Sequence, residues 1–115
     1  MNYRNTRLYH RAIELVQTTH GIIESLPVGY GFLADQLRRA ASSVVLNFAE
    51  GCGKSSAVER RRYFQTARAS AYEVSAAADV AFALGAALPE RHAKLVDICD
   101  HVAAMLVLFG QAARP

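Results

Sequence analysis

Apolar residues recur along this chain at intervals of three and four, in four blocks separated by glycine and proline. That is the repeat of helices that bury one face. In the first block Leu8, Ala12, Leu15, Val16, Thr19, Ile22 and Ile23 form one stripe and predict a helix from about Thr6 to Ser25. Pro27-Val-Gly-Tyr-Gly31 then reads as a loop. Leu33, Leu37, Ala40, Ala41, Val44, Val45 and Phe48 predict a second helix from about Phe32 to Glu50. Gly51 stands where a left-handed residue ends a helix, so it reads as the stop. Gly51–Ser55 is the next turn, and Ser56 with Glu59 has the spacing of a capping box. A long third helix follows to about Leu84, with Phe64, Ala67, Ala71, Val74, Ala78, Ala81 and Leu84 on one face. Gly85 is its expected stop. Pro89 suits the first turn of a fourth helix, which runs to about Gly110 on Ala93, Val96, Ile98, Val102, Met105, Leu106 and Phe109.

No segment alternates with period two, so no sheet is expected. Four helices with mostly short connections imply antiparallel neighbours. The expected fold is all-α: an antiparallel up-down-up-down four-helix bundle, one domain over residues 1–115. That length buries enough surface for a core without staples. Hydrophobic residues make up 52% and charged residues 20%, which excludes a disordered chain. Cys52 and Cys99 do not make a disulfide framework. The N-terminus lacks the apolar segment of a signal peptide. The apolar runs Val102–Gly110 and Ala76–Leu88 read as too short or too interrupted to span a bilayer. A cytoplasmic protein with no membrane partner is therefore expected.

Charge changes the picture more than composition does. The net charge is +3, but it is unevenly spread. Residues 38–68 hold Arg38, Arg39, Lys54, Arg60, Arg61, Arg62 and Arg68 against only Glu50 and Glu59. Residues 1–37 balance to zero, and the remainder is acidic. A basic segment in a neutral or acidic chain points to an anionic partner.

Three chemistries present themselves and fall away. Gly51-Cys-Gly-Lys-Ser-Ser56 has the tail of a phosphate-binding loop, but the loop's first glycine would be Phe48, and the motif follows a helix, not a strand. What survives is the start of the third helix, whose free N–H groups with Lys54 suit one phosphate of a polymer. A di-iron centre needs Glu-x-x-His pairs, which this sequence lacks. His10, His20, His92 and His101 share no ligand spacing, so no metal or other cofactor is expected. Cys52, read as a loop residue, has no histidine that the sequence can assign to it as a base. Cys99 reads as a small core hydrophobe. No catalytic residue is assigned.

The basic residues remain. Arg60, Arg61 and Arg62 are consecutive and fan around the helix at about 100° per residue. Arg68 lies two turns beyond Arg61 on the same face. Tyr63 and Tyr72 interleave with them and have the chemistry to stack on bases, although packing is the commoner role. Asn47 sits among apolar neighbours and is expected to hydrogen-bond inside the bundle, since an unpaired buried amide costs about 1–3 kcal/mol. Glu50, Glu59 and Glu73 offer inter-helix ion pairs to Arg38, Arg39 and Arg62. If those pairs form, the free positive surface shrinks to Lys54, Arg60, Arg61 and Arg68.

One further pattern spans Tyr30 to Glu73. Gln36-Leu-Arg-Arg-Ala-Ala41, Ser43, Asn47-Phe-Ala-Glu-Gly51, Gly53-Lys-Ser55, Glu59, Arg62-Tyr-Phe64, Ala67, Ser70 and Glu73 occur in order and spacing that resemble the four-helix bundle proteins encoded in intervening sequences of bacterial 23S rRNA genes. The set is equally similar to the accessory variability determinant proteins of diversity-generating retroelements. The resemblance covers essentially the whole chain, more weakly at the first residues and in the fourth helix. It implies a non-enzymatic homo-oligomer, commonly a pentameric barrel with a basic surface. Retroelement members bind nucleic acid and a reverse transcriptase. Two departures stand out: Val45 where many members have proline, and Ala69 where many have glycine.

Together these readings lead to an accessory protein that binds RNA or DNA, mostly through phosphates, by way of Lys54, Arg60, Arg61 and Arg68, then Arg38 and Arg39. The alternative is a protein–protein module that docks a partner such as a reverse transcriptase without binding nucleic acid itself.

Overall fold

Thr6 opens the first long helix as its position predicts. In a computed structural model of the chain, which describes residues 1–112, its Oγ1 accepts the Tyr9 N–H at 3.1 Å and so caps α1 (Arg7–Ser25). A short 3-10 turn, Tyr3–Asn5, precedes it. Then come α2 (Gly31–Cys52), α3 (Ala57–Ala83) and α4 (Pro89–Ala112), with no strand among the described residues. Each helix packs on the next, and α4 returns to α1, closing an up-down-up-down bundle of 47 × 22 × 20 Å.

The buried stripe of α1 is the expected one: Leu8, Ala12, Leu15, Thr19 and Ile22. Thr19 is tolerated in the core because its hydroxyl donates to the Leu15 carbonyl at 2.7 Å. In α2 the predicted stripe is also buried, with Val45 half-exposed at its edge. Fully burying side chains such as Leu37 or Phe48 contributes about 1.5–3 kcal/mol each.

Three local expectations need correction. Gly51 does not stop α2: it is helical and buried, and the helix runs on to Cys52. A Cβ at position 51 would stand 2.7 Å from the Phe64 ring, so the glycine is there for the close approach of α3. The capping box is half-formed. Ser56 Oγ accepts the Glu59 N–H at 3.4 Å, while no bond returns from the Glu59 carboxylate. In α4 the first turns are rotated from the predicted stripe. Leu95 and Cys99 are buried and Ala93 is exposed, as is Leu84 at the end of α3.

Gly85 does stop α3. With φ of +74° it allows the Gly85 N–H to reach the Phe82 carbonyl and the Ala86 N–H to reach the Ala81 carbonyl, the pair of bonds of a Schellman turn. Near the opposite end of the bundle the core closes on three rings. Phe48, Phe64 and Phe109 lie with centroids 5.2–5.9 Å apart, Phe109 edge-on to the other two.

Candidate nucleic-acid interface

The antiparallel order brings the end of α2, the start of α3, the start of α1 and the end of α4 to one pole. Met1 and Arg60 line the same cavity there. The N-terminal amine and Arg60 both act on the Cys52 thiol. Arg4 and Arg7 therefore join Lys54, Arg60, Arg61 and Arg62, six cations at one end of the molecule against Glu50 and Glu59. Arg4 and Arg7 were missed because charge was counted along the chain. Residues 1–37 sum to zero, but Glu24 and Asp35 stand towards the other pole, and Glu14 is taken by Arg11 at 2.7 Å.

Aromatic rings interleave with these cations. The Arg4 guanidinium lies 4.7 Å from the centroid of Tyr3, which packs edge-on against Tyr9. The Lys54 ammonium lies 5.2 Å from the Tyr63 ring. Arg60 donates from Nη1 to the Lys54 carbonyl at 3.1 Å and so braces the turn between α2 and α3. None of the six cations has a carboxylate within 4 Å among the described residues.

The other predicted basic residues stand elsewhere. Arg68 lies in the furrow between α3 and α4. Its Nη2 donates to the Tyr72 hydroxyl at 2.9 Å, and its Nε is buried without an acceptor. Arg38 and Arg39 are exposed on the outer face of α2, about 20 Å up the helix from Lys54 at 1.5 Å per residue. Arg38 pairs with Asp35 at 3.2 Å. The predicted basic residues thus fall in three places: a cluster at the pole, a furrow arginine and, on α2 remote from Lys54 as its sequence position implies, a distant pair.

The expected inter-helix ion pairs do not form among the described residues. Glu50, Glu59 and Glu73 are exposed, and none reaches Arg38, Arg39 or Arg62 within 4 Å. Exposed pairs are worth only about 0–1 kcal/mol, too little to hold long side chains together. The polar link between α2 and α3 is made otherwise. Ser43 Oγ and Ser70 Oγ are 2.6 Å apart. Asn47 is half-buried and donates to Ser43 Oγ and to the Ser43 carbonyl, both at 2.9 Å, on its own helix. Gln36 donates to Glu73 at 3.1 Å.

Cys52 is the last residue of α2, not a loop residue, and it is buried. Burial pushes its thiol up, against a weaker downward pull from the N-terminal amine and Arg60. Burial, then Asp100 and Asp79, pushes the Cys99 thiol up to about 12. Both shifts run opposite to what activates a nucleophile. Among the described residues no three of His, Cys, Asp and Glu gather to hold a metal ion.

One helix, α4, is after all long and apolar enough to cross a membrane by composition, with mean hydropathy 1.5 over 18 residues. Only 33% of that window is buried. Its inner side carries Leu95, Ile98, Cys99, Val102, Ala103 and Leu106 into the core, the position of a bundle helix with an uncovered apolar flank.

Against known proteins, a family model described as "23S rRNA-intervening sequence protein" matches residues 4–108. No curated protein matches the chain. A crystal structure from Bacteroides thetaiotaomicron, described as a protein with unknown function from the S23 ribosomal protein family, superposes with a TM-score of 0.81. It is 12% identical, and the match covers 89% of this chain and 96% of that one. At that identity it bears on the fold alone.

Proposed function

The chain belongs to the 23S rRNA-intervening sequence protein family, and from that premise we propose that it is a non-catalytic, homo-oligomeric accessory protein that binds RNA or DNA. The observation that carries the reading is the pole of six cations without carboxylate partners among the described residues, interleaved with Tyr3, Tyr9 and Tyr63. Such a surface binds backbone phosphate, with little sequence preference and a steep dependence on salt. Arg4, Arg7, Lys54, Arg60, Arg61 and Arg62 form the contact set. Arg68, Arg38 and Arg39 are secondary.

Oligomerisation is supported by the uncovered apolar flank of α4 and by exposed Tyr72 and Val107 on the α3–α4 side. Repeating a basic pole around a ring, five-fold as the family resemblance implies, multiplies a modest charge into a strong field. The same flank favours a second reading, in which it docks a protein partner such as a reverse transcriptase and the protein itself binds no nucleic acid.

The test is the double variant Arg60→Glu with Arg61→Glu, measured by fluorescence anisotropy on a labelled oligonucleotide. Loss of binding with helix content and oligomer mass unchanged is the expected result. Unchanged affinity would reject the site.

A further inference from the structure

The aromatic end of the core is not sealed. Phe109 is only half-buried, and beside it lies a cavity of about 430 Å³. Among the described residues its walls are Met1, Phe64, Leu108, Phe109 and Ala112, with Arg60 as the single charged member. Cavities of about 300–1,000 Å³ lined by apolar and aromatic groups with a few placed polar ones are the usual form of small-ligand sites. This one opens at the basic pole: Arg60 lines it and braces the turn that carries Lys54, while Arg61, the next residue, lines the neighbouring furrow between α3 and α4.

The two features narrow the occupant. A neutral aliphatic ligand would use the walls and leave the surrounding cations idle, and a fatty acid would engage Arg60 in the cavity and leave Lys54 and Arg61 idle. A duplex would use the cations and leave the walls idle, because its bases are stacked inside. An unpaired nucleotide uses both: a planar base against the apolar wall, and flanking phosphates on Arg60, Lys54 and Arg61. We propose that this cavity takes an unpaired nucleobase, so that the basic pole prefers single-stranded nucleic acid to duplex. The proposal rests on the nucleic-acid reading above.

Phosphate contacts alone predict the reverse preference, since duplex carries the denser charge. A single-strand preference therefore reports on the base. Stacking of a base on an aromatic side chain is sequence-tolerant and large enough to detect.

The experiment compares one sequence as single strand, as blunt duplex and as a strand with abasic residues, each as RNA and as DNA, at one low salt concentration. Leu108→Gln is the variant, because Leu108 lines the cavity yet is 63% exposed, so the fold should tolerate it; a thermal melt checks that. The single strand should bind about tenfold tighter than the duplex, and the abasic strand should lose most of that advantage. Leu108→Gln should weaken single-strand binding about fivefold and leave duplex binding unchanged. An aminopurine in the strand should change its fluorescence on binding in the parent only. Equal affinity for single strand, duplex and abasic strand would overturn the base site while leaving phosphate binding intact. No binding of any strand would overturn the nucleic-acid reading and this proposal with it.

Discussion

Replacing Gly51 with alanine should destabilise the protein, although alanine is the better helix former. Gly51 lies inside α2, so propensity alone favours the variant by about 1 kcal/mol. The added Cβ would meet two Phe64 ring carbons at 2.7 and 2.9 Å and the Tyr63 Cβ at 3.0 Å. Phe64 cannot swing aside freely, because the Phe48 and Phe109 rings stand 5.7 and 5.9 Å from it. The helices must part or the ring must leave its rotamer, and overpacking of this kind costs about 1–3 kcal/mol. With three contacts at or below 3.0 Å the upper half of that range applies, leaving a net loss of about 1–2 kcal/mol after the propensity gain. For a domain of this size that is roughly 4–8 °C in Tm. Gly21→Ala is the control: it is also helical, but a Cβ there meets nothing within 4 Å, so it should gain about 0.5–1 kcal/mol. Urea titrations and thermal melts followed by circular dichroism measure both. If Gly51→Ala proves as stable as Gly21→Ala, the close α2–α3 approach is not real. The placement of Lys54 and Arg60, which depends on it, would then fall too.

Gly85→Ala should cost about 1–2 kcal/mol, since its φ of +74° strains any residue with a Cβ; chemical denaturation reads it directly. Ser43→Ala should cost about 1 kcal/mol by removing a partner from both Ser70 and Asn47, and the double variant Ser43→Ala/Ser70→Ala should cost less than the sum of the singles in the same assay. Cys99 predicts an alkaline limit. Its thiol ionises near 9.0 when unfolded and is pushed up to about 12 in the fold. The contribution is therefore complete below pH 9 and lost as pH rises from about 9 towards 12. Stability measured across that window should fall more steeply in the parent than in Cys99→Ala.

Helix number, order and type were legible in the sequence because period and breakers agreed: Ser56 caps α3, Gly85 stops it and Pro89 opens α4, as their positions imply. Gly51 was misread because a helix stop and a close approach look alike along the chain, and only the Phe64 ring separates them. The start of α4 was misread because Ala93, Leu95, Val96, Ile98 and Cys99 put apolar groups on several sides, so periodicity could not choose a face. The candidate site was half legible. Lys54 and Arg60–Arg62 are adjacent in sequence, whereas Arg4 and Arg7 reach the same pole only through the antiparallel return of the chain. The expected ion pairs failed because the carboxylates that spacing offered are solvent-facing.

The most direct test of the basic pole is the affinity of nuclease-treated protein for labelled RNA and DNA of equal length from low to moderate salt, with light scattering on the same sample. An oligomer should bind both, with affinity falling on a log–log slope of about −4 per protomer engaged, from six cations at about 0.7 each for a single strand. An oligomer that binds neither even at the lowest salt would contradict the account and turn attention to the α3–α4 flank and a protein partner.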